Sequence, residues 1–188
     1  MKNYFIGVFP DKNTSEKIDG VLLELRRIFQ YQNIPVRWVN KEKFHVTISY
    51  LGRDINFMKK LSFGKKFIKT DFKEFEVELG SVTLGINKLY RELLHFKILN
   101  GGEELRKLSE KYNRIYNIKN VKPISPHFTI GRVQKDIVDE EFRNLTEDIS
   151  VFNNNYTDNV ELKFGVKKIA FIESDLENYK IIKEISSS

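Results

Sequence analysis

The tetrapeptides His45-Val46-Thr47-Ile48 and His127-Phe128-Thr129-Ile130 decide how this chain is read. Each lies in a short apolar run that alternates as a β-strand does. In an extended strand, residues two apart share a face. His45 therefore projects with Thr47 and His127 with Thr129, while Val46, Ile48, Phe128 and Ile130 turn to the other side. The flanks align as well, Phe44 to Leu51 against Pro126 to Val133. A lone histidine on a half-buried strand is usually a packed or hydrogen-bonded residue. Here two of the three histidines carry threonine at plus two, and that repetition points to paired function. Two imidazoles can remove one proton and deliver another.

Around the motifs, strand and helix patterns alternate. Residues 3 to 9 read as a strand closed by Pro10. Asp11 to Thr14 offer capping groups for a helix from about 12 to 30, with Ile18, Val21, Leu22, Leu25, Ile28 and Phe29 at helical spacing. Residues 35 to 39 form a short strand, and Lys41-Glu42-Lys43 a polar turn. The first motif strand covers about 44 to 51, and Asp54-Ile55-Asn56 starts a second helix running to about Ile68. Runs at 72 to 79 and 82 to 85 are expected as separate strands, followed by one over 93 to 99. Gly101-Gly102 precedes a helix from about 103 to 116. Pro123 and Pro126 bracket the approach to the second motif strand, about 127 to 133, and a helix is expected from Asp136 to Ile149. The tract Phe152 to Asn159 reads as polar loop. Three strands close the chain, at 160 to 164, 166 to 173 and 179 to 185, the last two a hairpin around Asp175–Asn178. Ser186-Ser187-Ser188 is expected as a frayed tail.

The pattern is α+β. One motif in each half suggests two pseudo-symmetric lobes, each an antiparallel sheet with helices on its outer face, around a central groove. Each lobe places its His and Thr on the inner surface. The length of 188 residues fits a single domain made of two interleaved lobes.

Composition narrows the setting. The chain has no cysteine, which excludes disulfides and thiolate metal sites and suits a reducing compartment. The apolar part of Met1 to Pro10 is too short for a signal peptide or a membrane span, so a soluble cytoplasmic protein without a membrane partner is expected. The net charge of +6 suits a polyanionic partner, although many soluble proteins share such an excess. Runs such as Lys65-Lys66 and Lys167-Lys168 read as solvated faces.

Histidines with ordinary pKa values near 6.5 can divide acid and base roles near neutral pH. Threonine hydroxyls and a basic side chain can hold a phosphate oxygen without a metal. A phosphodiester with attacking and leaving oxygens in line needs these parts. A metal site is the poorer reading, since neither motif has a carboxylate at plus one to plus four.

The paired motifs, Pro126 before the second histidine and Arg132 after it resemble the two-histidine (2H) phosphoesterase superfamily. The LigT/ThpR group is the nearest likeness, the RNA 2′,3′-cyclic phosphodiesterases first described as 2′-5′ RNA ligases. The resemblance implies two lobes around a groove, no metal or other cofactor, and opening of a 2′,3′-cyclic phosphate to a 2′-phosphomonoester. It implies His45 as proton donor to the departing 3′-oxygen and His127 as the acceptor that activates water. Thr47, Thr129 and Arg132 would bind the phosphate. Arg132 lies five residues after His127, where strict alternation puts it on the opposite face, so it reaches the phosphate only if the strand twists, bulges or ends there. Tyr50 stands at the equivalent place in the first copy, where phenylalanine is common in the family.

Trp38 and Phe44 are candidates for the border of the base-binding region, with core or rim packing as the alternative. His95, with no threonine at plus two, reads as structural. The expected partner is RNA carrying 2′,3′-cyclic phosphate or 2′-phosphate ends, met by a monomer. Rival readings keep the site but change the substrate, to 2′-5′ oligonucleotides or a small cyclic phosphate, or drop catalysis for a non-catalytic RNA-binding module.

Overall fold

The structure is a computed structural model that describes residues 1–86, 90–118, 126–134, 137–156, 160–175 and 178–188. β1 (Asn3–Val8) leads into α1 (Lys12–Tyr31) and β2 (Val36–Trp38). A 3-10 turn at Lys41–Lys43 then precedes β3 (Val46–Arg53). α2 (Phe57–Phe67), β4 (Phe75–Leu84), β5 (Leu93–Asn100) and α3 (Gly102–Ile115) follow. β6 (His127–Val133) and α4 (Asp139–Asn155) come next, before β7 (Leu162–Val166), β8 (Lys168–Ser174) and β9 (Tyr179–Ser186).

The helix starts follow from the capping residues. The Asp11 carboxylate accepts from the Thr14 N–H at 2.8 Å, and the Asn56 amide oxygen accepts from the Lys59 N–H at 2.8 Å. Such a cap satisfies a donor that the first turn leaves unpaired, and stabilises the helix by about 1 kcal/mol. The apolar stripe of α1 buries Ile18, Val21, Leu22, Leu25 and Phe29.

The described strands form one antiparallel sheet in the order β7-β4-β5-β6-β3-β1-β8-β9, with β2 also paired to β6. Each motif strand heads one half. β3, β1, β8 and β9 form the first lobe; β6, β5, β4 and β7 form the second. The halves meet at a narrow waist, where Val46 of β3 pairs with Phe128 of β6. The helices are exchanged between halves: α1 follows β1 but packs on β7, and α3 follows β5 but also packs on β3. One main core lies between the sheet and the four helices, and it contains Ile6, Val8, Val46, Phe96, Phe128, Phe152 and Phe171. The expected lobes are therefore two ends of one curled sheet, with the helices behind it and the motif histidines on the uncovered face.

Three local expectations are corrected. The runs at 72 to 79 and 82 to 85 are parts of one strand, β4, which stays continuous through an irregularity between Leu79 and Val82. The expected loop from Phe152 is helical as far as Asn155. Phe152 fills the core, and the Asn153 amide donates to the Val82 carbonyl and accepts from the Val82 N–H at 2.9 and 2.8 Å, holding the irregular strand. The serine tail is tied down, with Ser186 in β9 and the Ser187 and Ser188 N–H groups bonded to the carbonyls of Lys167 and Phe72. The β8–β9 hairpin forms as expected. Pro123, Asp136, the end of the polar tract (Thr157, Asp158, Asn159) and the middle of the hairpin turn (Leu176, Glu177) lie outside the described residues.

Candidate active site

The two motifs meet at the waist. Val46 pairs with Phe128 in antiparallel register, and both are fully buried on the helical side. One step along each strand sets Thr47 opposite His127 and His45 opposite Thr129, all on the other face. His45 and His127 are thus diagonal neighbours across the waist.

The fourth residue of each motif has a shared role that sequence alternation hides. Between Leu94/Gly131 and His95/Thr129, β6 advances two residues against one on β5, leaving Ile130 as the extra residue of a bulge. Between Ile6/Ser49 and Gly7/Thr47, β3 does the same against β1, leaving Ile48 extra. A bulge shifts the alternation of every residue beyond it. Ile130 and Val133 belong to the core, and a Cβ on Gly131 would meet Val36 and Trp38 on the helical side. Arg132 is left facing the histidines, and Tyr50, exposed, takes the matching place in the first lobe. The strand irregularity that Arg132 would need in order to share the face of the motif is present.

His45 is held at both ring nitrogens. Its Nδ1–H donates to the Lys43 carbonyl at 2.7 Å, and Nε2 lies 3.1 Å from the Thr47 hydroxyl. The carbonyl can only accept, so the neutral ring carries its proton on Nδ1 and its Nε2 accepts from the Thr47 hydroxyl. Phe5 lies 4.9 Å from the ring, Tyr179 5.4 Å and Phe9 6.2 Å, between centroids. These residues form a small apolar cluster with Ala170 and Ile172, separate from the main core. Burial lowers the His45 pKa, the Lys43 carbonyl opposes that shift, and His127 adds to the lowering. The two imidazoles are close enough for a charge on one to resist charging the other.

His127 stands among polar groups. Lys97 of β5 is its direct cross-strand partner and is exposed. The His95 ring stands edge-on to it at 5.5 Å. Further along β6, the Arg132 guanidinium donates to the Glu92 carboxylate at 3.0 Å, and the exposed Arg37 of β2 is paired with Arg132.

Of the residues singled out from sequence, His45, Thr47, His127, Thr129 and Arg132 share this face. Trp38 and Phe44 do not. Phe44 is buried in the main core at 5.5 Å from Phe128, because it immediately precedes the motif and has the opposite parity to His45. Trp38 packs edge-on against Phe29 of α1 on the helical side, with the Arg26 guanidinium 5.6 Å from its ring. The aromatic surface beside the histidines comes instead from Phe5, Phe9 and Tyr179. Alternation along residues 3 to 9 could have marked Phe5 and Phe9, but nothing in the sequence brings Tyr179 to the waist. Lys97, Arg37 and His95 needed the strand register. Among the described residues, no group of three or more His, Cys, Asp or Glu side chains is arranged to hold a metal ion, and no helix is long and apolar enough to cross a membrane.

No family model matches the chain. The RNA 2′,3′-cyclic phosphodiesterase of Aeropyrum pernix is 23% identical over 119 residues, covering 61% of this chain and 67% of that protein. Escherichia coli LigT, solved in complex with ATP, superposes with a TM-score of 0.69 at 13% identity, over 100% of this chain and 98% of LigT. The chain has the fold of LigT. Kluyveromyces marxianus Usb1, solved with uridine monophosphate, carries the same architecture at a TM-score of 0.61 and 12% identity, over 95% of this chain and 96% of Usb1. In the present chain this LigT-like fold brings both His-x-Thr motifs to one open face.

Proposed function

We propose that this protein hydrolyses RNA 2′,3′-cyclic phosphate ends to 2′-phosphomonoesters by two-histidine acid–base catalysis, without a metal. The observation that carries the reading is the Val46–Phe128 pairing, which sets the two motif strands side by side at the waist. The cyclic phosphate sits between the imidazoles. His127 accepts a proton from the attacking water, and His45 delivers one to the departing 3′-oxygen, so the proton count closes over the turnover. The hydroxyls of Thr47 and Thr129 and the guanidinium of Arg132 hold the non-bridging oxygens, where negative charge gathers in the transition state. The Glu92 carboxylate keeps the guanidinium aimed. The nucleobase lies against Phe9 and Tyr179, and the RNA chain leaves across the basic side formed by Arg37, Arg132 and Lys97. With an RNA 5′-hydroxyl in place of water as the attacking group, the same residues would join ends through a 2′-5′ bond: His127 takes the hydroxyl proton and His45 protonates the departing 3′-oxygen.

His45 must carry a proton to act as donor, yet burial lowers its affinity for one. The phosphodiester anion, once bound between the rings, favours the charged form and restores it. Activity at low substrate should therefore fall on the alkaline side at a pH below the ordinary histidine value of about 6.5. The same lowered affinity also supports the opposite assignment, with His45 as acceptor, and the pH profiles of the single variants separate the two.

The test is hydrolysis of nucleoside 2′,3′-cyclic phosphates and of a cyclic-phosphate-ended oligoribonucleotide in excess EDTA. Wild type is compared with His45→Ala and His127→Ala. Each substitution should cost roughly 10²–10⁴-fold in kcat, and the wild-type product should be the 2′-phosphate. RNA binding without turnover would favour the non-catalytic module.

A further inference from the structure

His95 has no place in the chemistry above, yet it lies in the same row of the sheet. Its strand partners are Thr83 of β4 on one side and Thr129 of β6 on the other. The side chain is buried, with the residue 6% exposed, and its Nδ1 has no hydrogen-bond partner. Its ring meets that of His127 edge-to-face, with centroids 5.5 Å apart and planes at 77°.

A buried imidazole nitrogen without a partner is costly, and a packing role alone is met more cheaply by hydrocarbon. The first lobe shows that alternative. Thr47 has Gly7 as its strand partner where Thr129 has His95. The Phe5 ring leans over Gly7, with its nearest atom 3.3 Å from where a Cβ would stand, and packs against His45. The fold thus fills this place with a phenyl ring beside one histidine and with an imidazole beside the other.

We propose that His95 is a positioning residue for His127: packed edge-on, it fixes the plane of the proton-accepting ring and gives the imidazolium that forms there a buried polar neighbour in place of hydrocarbon. This rests on the accepting role given to His127 above. The ionisable groups facing His95 are His127 on β6 and Lys97 on its own strand, while Thr83, its partner on β4, carries no charge. Burial and then His127 hold the His95 pKa down to about 4, against the Leu93 backbone, which favours the charged form; Lys97 adds to the lowering. His95 is therefore uncharged near neutral pH and does not oppose the charging of its neighbour.

The test begins without substrate, by NMR titration of the imidazoles in wild type and His95→Phe. With three histidines in the chain, each resonance can be assigned by its own variant. In wild type, His95 should stay uncharged down to about pH 4. In His95→Phe, the His127 midpoint should move down by about half a pH unit, since a phenyl ring solvates an imidazolium less well. With a nucleoside 2′,3′-cyclic phosphate, kcat of His95→Phe should fall roughly tenfold with KM nearly unchanged, as expected for a misplaced reacting group. His95→Gln, which keeps a polar atom, should recover part of the loss, and it replaces the phenylalanine variant if that one fails to fold. An unchanged His127 midpoint in the folded variants, or His95 titrating near 6.5 in wild type, overturns the proposal. Absence of turnover in wild type sinks the phosphodiesterase reading alone, because the titration still decides what His95 does to His127.

Discussion

The two half-sites share a backbone plan and differ in what surrounds it. Both motif strands place His and Thr on the open face, and both form a bulge at the motif isoleucine. Around His45 the neighbours are aromatic: Phe5, Phe9 and Tyr179. Around His127 they are polar or charged: Lys97, His95 and, past the bulge, Arg132 with Glu92. Pseudo-symmetry of the chain delivers the groups in pairs. The surroundings are not paired: aromatic burial lowers the His45 pKa, while polar groups stand beside His127.

The largest effect that can test this contrast is on the pH profile. His45→Ala should abolish the alkaline limb of kcat/KM and His127→Ala the acidic limb, each within a residual rate lowered by roughly 10²–10⁴-fold. Exchange of the two limbs would reverse the assignment. Arg132→Ala should cost about 10²-fold in kcat, the scale for losing one donor to a developing oxyanion. The matching change in the first lobe, Tyr50→Ala, should leave kcat nearly unchanged, because Tyr50 is exposed and bonds to the Asn3 side chain. Tyr179→Ala opens the aromatic enclosure to water and relieves the burial that holds the His45 pKa down, so the alkaline limb should move upward by about half a pH unit.

A separate effect is on stability, and it concerns the second lobe. The folded His95 pKa of about 4 lies below the unfolded value near 6.5. As pH falls, the unfolded chain takes up that proton first, so stability is full above 6.5 and is lost progressively toward 4. The difference corresponds to roughly 3 kcal/mol. Urea denaturation at pH 7.5 and pH 4.5 should show His95→Phe losing less stability between those values than wild type does. Equal losses would mean that His95 titrates normally in the folded protein.

Much of the site was legible because β-strand alternation is a local rule. His45, Thr47, His127 and Thr129 follow from spacing alone. Strict alternation puts Arg132 on the opposite face, and the bulge that changes its parity is a property of strand register that no stretch of one strand reports. Phe44 and Trp38 were judged by nearness in sequence to the motif, but side-chain parity sends both to the helical side. Tyr179 is far from either histidine along the chain and reaches the waist only because β9 pairs with β8, and β8 with β1. His95 has no threonine at plus two; its threonine neighbours come across strands from β4 and β6, which no local pattern reports. The helix at Phe152 to Asn155 was missed for a similar reason: asparagine favours loops in isolation, and here Asn153 is retained in the helix by Val82 of β4.

The most direct measurement is a double-mutant comparison with a nucleoside 2′,3′-cyclic phosphate in excess EDTA. If the two motifs form one proton-transferring unit across the waist, His45→Ala/His127→Ala should be scarcely slower than the worse single variant, because removing either group already disables the pair. Losses that multiply in the double variant, or a single variant that keeps wild-type kcat, would contradict a shared site.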